Sequence, residues 1–152
     1  MLRHASLIPL SHEHQHALAL CVEVRRAMAG DASKSAVSAI AQRISDQFDS
    51  EICGHFDSEE RVLFPQLSAL PETSALVGEL MGEHRRLTAL VDRLRTAPAA
   101  ELVLEFAEML SGHVRKEENI LFQETQRLLS PEQLSTLGQE LAAAQRPPSC
   151  ER

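Results

Sequence analysis

The chain has no tryptophan and no tyrosine among its 152 residues, which removes the usual side chains for long-range radical transfer and disfavours oxidase chemistry that depends on them. Cysteine is scarce too. Cys21, Cys53 and Cys150 are odd in number and form no Cys-x-x-Cys pair, so neither a disulfide framework nor a zinc ribbon is expected. They read as reduced thiols of a cytoplasmic protein. No stretch approaches the ~18 apolar residues of a membrane span, and Met1 to Leu10 lacks the apolar run of a secretory signal. Positive charge is in deficit: 15 Lys and Arg stand against 22 Asp and Glu, a net −7, and such a surface repels phosphate backbones. Neither nucleic acid nor membrane is an expected partner, and the pair Arg85-Arg86 reads as solvated residues on a helix back.

What remains is ordinary globular composition, 43% hydrophobic and 24% charged, in a length that suits one domain. Apolar residues recur at steps of three and four almost throughout, and no segment alternates with the period of a strand. The class is all-α. A first helix should start near Pro9 to Ser11 and stop at Gly30, which can take the left-handed conformation. A second carries Val37, Ile40, Ile44, Phe48, Ile52, His55, Glu59 and Leu63, and Pro65 should kink or end it. A third, ending before Pro98, carries Leu76, Leu80, His84, Leu87, Val91 and Leu94. The fourth carries Leu102, Phe106, Leu110, His113, Glu117, Leu121 and Leu128. Ser130, Pro131 and Gln133 then read as a capping box opening a short fifth helix.

Short loops favour antiparallel neighbours, so the expected architecture is an antiparallel up-down-up-down four-helix bundle with a short C-terminal fifth helix. The domain should occupy residues 1–145. Residues 146–152 have little to bury and are expected to be a disordered tail.

Polar residues stand on these apolar stripes. His55 and Glu59 lie four apart on one face, separated by one turn of ~5.4 Å, and His113 and Glu117 repeat the arrangement. His14 and His84 occupy inward positions on the first and third helices. The segment HFDSEERVLF from His55 matches HVRKEENILF from His113 at the histidine, both glutamates and the Leu-Phe end, and Glu13-His14 corresponds to Glu83-His84. A duplicated helix hairpin would set these residues face to face. Burying a carboxylate costs several kcal/mol unless it is paired or metal-bound, and two divalent cations supply the partner: carboxylates bridge, imidazoles complete each shell. The expected metal ligands are therefore His14, His55, Glu59, His84, His113 and Glu117. His12 and His16 point away from His14 on a helix and read as solvated, with the alternative that His16 borders the mouth of the site or His12 approaches a metal. His4 reads as a tail residue and Cys21 as a core thiol. Glu60 and Glu118 are expected to face solvent or pair with a neighbouring helix.

In this order the motifs resemble the hemerythrin family, in its bacterial branch of hemerythrin-like HHE cation-binding domains, from about Leu7 to Leu128. They are Glu13-His14, then His55, Glu59, Glu60, Leu63, Phe64 and Pro65, then Glu83-His84, then His113 and Glu117. The resemblance implies a four-helix bundle with a non-haem di-iron centre and these matched residues as ligands. The expected cofactor is two Fe ions with a bridging oxo, hydroxo or water, Mn or Zn being substitutes. Ferritin-like bundles use Glu-x-x-His instead. In oxygen-carrying hemerythrins a histidine stands one turn after the third-helix ligand; here that residue is Thr88, and the second carboxylate is Glu117 where carriers use Asp one residue later. This moves the reading from oxygen transport toward a protein that binds or senses oxygen, nitric oxide or a related oxidant, or stores iron, with a protein partner receiving any signal. The alternative is a di-iron redox enzyme that consumes peroxide or nitric oxide, or an iron donor for damaged iron centres.

Overall fold

Helix starts and stops follow local chemistry in the computed structural model, which describes residues 2–144. The expected tail at 146–152, with Cys150, lies outside the described residues. His4 is more than a tail residue: its Nδ1 accepts the Ser6 N–H at 3.1 Å and caps a 3₁₀ turn, Ala5–Leu7. Helix α1, Ile8–Gly30, has Pro9 in its first turn, where a missing N–H costs nothing. It ends differently from expectation. No described glycine has positive φ; Asp31 turns extended (φ −157°, ψ 116°) and its N–H bonds Ala27 O, closing the last turn.

Helix α2 spans residues 34–68 and is capped by Ser33, whose hydroxyl accepts the Ala36 N–H. Two π-helical turns interrupt its α-helical ladder, Phe48–Ile52 and Glu59–Leu63. Pro65 does not end it. The second π turn closes on the Phe64 N–H, so Pro65 falls in the first turn of a fresh α segment, Phe64–Ser68, where no donor is needed. Helix α3 is Ser74–Thr96. Helix α4 spans residues 100–128, with a π turn at Glu117–Leu121. Helix α5, Pro131–Ala144, opens on the expected capping box: Ser130 Oγ accepts the Gln133 N–H at 3.1 Å and Gln133 Oε1 accepts the Ser130 N–H at 2.8 Å.

The described residues thus form five helices and no strand. Helix α1 packs against α2 and α4, and α3 against the same two. Apolar burial falls into two clusters. One, toward the far end of α1, gathers Leu20, Val24, Ile44, Phe48, Leu87, Val91, Phe106 and Leu110. The other joins Leu7, Leu10, Phe64, Leu67, Leu80 and Phe122 to Leu134, Leu137 and Leu141 of α5. Helix α5 comes close to the N-terminal turn at Gly138, where an added Cβ would sit 2.7 Å from Ser6 Oγ and 3.2 Å from its Cα. A polar layer separates the two clusters.

Among the described residues no helix is long and apolar enough to cross a membrane. Cys21 is a buried free thiol, as expected, and burial pushes its pKa up to about 11.

Candidate metal centre

The polar layer brings together all six residues singled out from the sequence. Helix α1 supplies His14, α2 supplies His55 and Glu59, α3 supplies His84, and α4 supplies His113 and Glu117. Glu59 and Glu117 are wholly buried, and none of the four histidines is more than 6% exposed. Their donor atoms fall into two groups: His14 and His55, or His84 and His113, each with both Glu59 and Glu117, all within 4.8 Å of one another. The two carboxylates are common to both groups. Glu59 Oε2 lies 3.3 Å from His55 Nε2, while its Oε1 lies 3.2 Å from His84 Nε2. Glu117 Oε1 lies 2.8 Å from His14 Nε2 and 3.5 Å from His113 Nε2.

The outward nitrogen of every histidine is held by a further carboxylate. His14 Nδ1 is 2.5 Å from Glu118 Oε2, His55 Nδ1 2.9 Å from Glu13 Oε1, His84 Nδ1 2.7 Å from Glu60 Oε2 and His113 Nδ1 2.8 Å from Glu83 Oε1. An ionised carboxylate only accepts, so each Nδ1 carries the proton and, in the neutral ring, each Nε2 turns a lone pair inward. His84 Nε2 and His113 Nε2 then face each other at 3.1 Å. His55 Nε2, both Glu59 oxygens and Glu117 Oε2 make no hydrogen bond at all. Buried acceptors without donors are costly, and protons, bound water or metal cations would satisfy this set. The donors therefore fit a pair of metal ions.

Metal-free, the cluster is basic. Burial opposes the charged His14 imidazole, but the hydrogen bonds to Glu117 and Glu118 outweigh it and raise the pKa to about 9. His84, also against the pull of burial, reaches about 9 through Glu59 and Glu60. His55 is raised well above its ordinary value beside Glu59, Glu117 and Glu13. Burial favours neutral Glu59, yet His55 and His84 hold its pKa well below the carboxylate range. Protons stand where metal would bind, so loading must release them.

The local backbone serves this layer. The π turns of α2 and α4 begin at Glu59 and Glu117, and such turns often mark functional sites. The widened turn lets adjacent residues, Glu59 with Glu60 and Glu117 with Glu118, both reach histidines. Phe56 stacks on His84 at 3.8 Å and Phe122 on His14 at 5.4 Å. On one side a small cavity touches His14, His55 and His113, walled by Ala17, Ile52, Phe56, Leu110 and Val114 and opening past Glu13 and Glu51. Its ~10 Å³ suits about one water-sized molecule.

Of the other expectations, His12, His16, Arg85 and Arg86 are exposed. His16 lies 3.8 Å from Glu51, one of the residues lining the cavity, and is not itself among the lining residues. Thr88 gives its hydroxyl to His84 O and not to the donor cluster. Glu60 and Glu118 pair with neighbouring helices. Sequence reasoning gave no role to Glu13 and Glu83 beyond their place in the motif. The signal was there, since an acidic residue adjoins a candidate ligand four times, twice in each copy.

The sequence matches the family described as the hemerythrin HHE cation binding domain over residues 9–125. A comparison with curated proteins found no match.

Proposed function

Because the chain belongs to the hemerythrin HHE cation-binding domain family, we propose that it is a non-haem di-iron protein that binds or senses oxygen, nitric oxide or a related small oxidant. In this reading residues 1–145 form one domain, an antiparallel up-down-up-down four-helix bundle. His14 and His55 would hold one ion and His84 and His113 the other, with Glu59 and Glu117 available to both. The observation that carries it is the set of inward-facing acceptors in two groups that share both carboxylates. Mixed imidazole and carboxylate donors suit ferrous iron, although Mn or Zn would fit the same atoms.

When bound, two redox-active ions supply electrons and Lewis acidity to a small ligand between or beside them. The protein's own part is selection and shelter. Two imidazoles and two shared carboxylates in each donor group would leave a bound ion room for an exchangeable small ligand. The cavity beside His14 and His55 has room for about one water-sized molecule, which favours a small ligand over a bulky one. Ala17, Ile52, Leu110 and Val114 line it with apolar surface and keep bulk water from the centre.

The test is anaerobic reduction of iron-loaded protein followed by oxygen or nitric oxide. Reversible visible charge-transfer bands are the expected result; a spectrum indifferent to both gases contradicts the reading. The enzyme alternative uses the same cavity. Sustained peroxide turnover by the loaded parent, lost in Glu59→Ala, would move the assignment from sensor to catalyst.

A further inference from the structure

The four carboxylates that grip the histidines form a closed circuit. Glu13 on α1 holds His55 on α2, Glu60 on α2 holds His84 on α3, Glu83 on α3 holds His113 on α4, and Glu118 on α4 returns to His14 on α1. None of these four glutamates serves a histidine of its own helix. Each of α1 to α4 gives one carboxylate to its neighbour and receives one, so the ring ties these four helices at the level of the centre.

The links are not equal. Lys116 Nζ bonds the second oxygen of Glu83 and also Glu79 at 3.1 Å. Arg3 donates to Glu118 Oε1 at 2.9 Å, while Ser11 donates to the Oε2 that holds His14. Among the described residues no cation is hydrogen-bonded to Glu13 or Glu60, although the Arg85 charge acts on Glu60 through space; Glu13 is half-buried and Glu60 exposed. A full negative charge against Nδ1–H pushes electron density toward Nε2 and makes the imidazole a stronger donor; a cation on the far oxygen withdraws part of that charge.

We infer that Glu13, Glu60, Glu83 and Glu118 are positioning residues that fix all four imidazoles with Nε2 inward and set the donor strength of the metal centre, with Lys116 and Arg3 as opposing adjusters. The inference rests on the di-metal reading above. Stronger donors favour the more highly charged ion, so the ring lowers the reduction potential of bound iron and the two cations raise it.

The test loads full-length parent, Glu13→Gln, Glu60→Gln, Glu83→Gln and Lys116→Met with ferrous iron anaerobically. It measures iron retention against a chelator, the midpoint potential from visible absorbance, and helicity by circular dichroism. Each Gln variant keeps an acceptor but loses the charge. Expected are a 10- to 100-fold loss of metal affinity and a raised potential, with about 59 mV for each tenfold preference lost by the ferric over the ferrous ion. Lys116→Met should shift the potential the opposite way, and because Lys116 is a third exposed it tests the idea even if a Gln variant fails to fold. Parent protein that takes up no metal would overturn the di-metal reading and this inference together. Parent that loads, with Gln and Met variants matching its affinity and potential, would overturn the ring alone.

Discussion

The half made by α1 and α2 and the half made by α3 and α4 present the same chemistry behind different walls. Each gives two inward histidines, one fully buried glutamate and two carboxylates that clasp histidines, in the same relative positions. The surroundings diverge. Ala17 lines the cavity, whereas its counterpart Leu87 is a fully buried core side chain. Phe56 lies flat on His84, whereas its counterpart Val114 only edges the cavity. The π turn at Phe48–Ile52 has no equivalent at 106–110, which stays α-helical. The two halves share their donor residues and differ in what surrounds them, and the cavity lies against His14, His55 and His113.

The comparison breaks most severely at the shared carboxylates. Glu59→Ala should empty both sites, because its two oxygens face opposite groups, whereas His55→Ala and His84→Ala should each lose one ion preferentially, as read by metal analysis per chain. Equal retention in all three would deny the bridging role. Next comes access. Ala17→Leu, copying the other half, should keep the metal but slow small-ligand binding at least tenfold in stopped-flow. Leu87→Ala should open the second side and cost about 2–5 kcal/mol in urea unfolding.

A subtler distinction is pH. The pKa values of His14 and His84 are raised in the metal-free fold from 6.5 to about 9. Their stabilisation is therefore fully present below pH 6.5 and lost as pH rises through about 9. The Tm of metal-free protein should fall over that window, and that of loaded protein should hold, since metal replaces the protons. A parallel fall in both would show that these protons are not the ones metal displaces. The smallest effect lies away from the centre: Gly138→Ala, crowding Ser6, should cost about 1–3 kcal/mol and leave metal content unchanged.

The fold was largely legible because its signals are local. Apolar steps of three and four marked the helices, and Ser130 with Gln133 announced the last one by itself. Candidate ligands were legible because His55 with Glu59 and His113 with Glu117 put polar groups on apolar stripes twice in the same register. What was hidden depends on neighbours. Pro65 read as a break because nothing local announces that a π turn will precede it. Gly30 read as a left-handed stop, though the extended Asp31 does that work. Glu60 and Glu118 could be assigned no particular partner, because a histidine on the next helix enters no periodicity count. The cavity was hidden for the same reason: Ala17 signifies space only once Ile52 and Leu110 are seen across from it.

The central claim is that the buried donor set exists to hold two metal ions. Metal analysis of the parent, purified without chelator and then reconstituted anaerobically with ferrous iron, tests it most directly. The account predicts two ions per chain, one for each donor group, with a higher Tm than the metal-free form. Protein that stays metal-free after reconstitution, with an unchanged Tm, would contradict it.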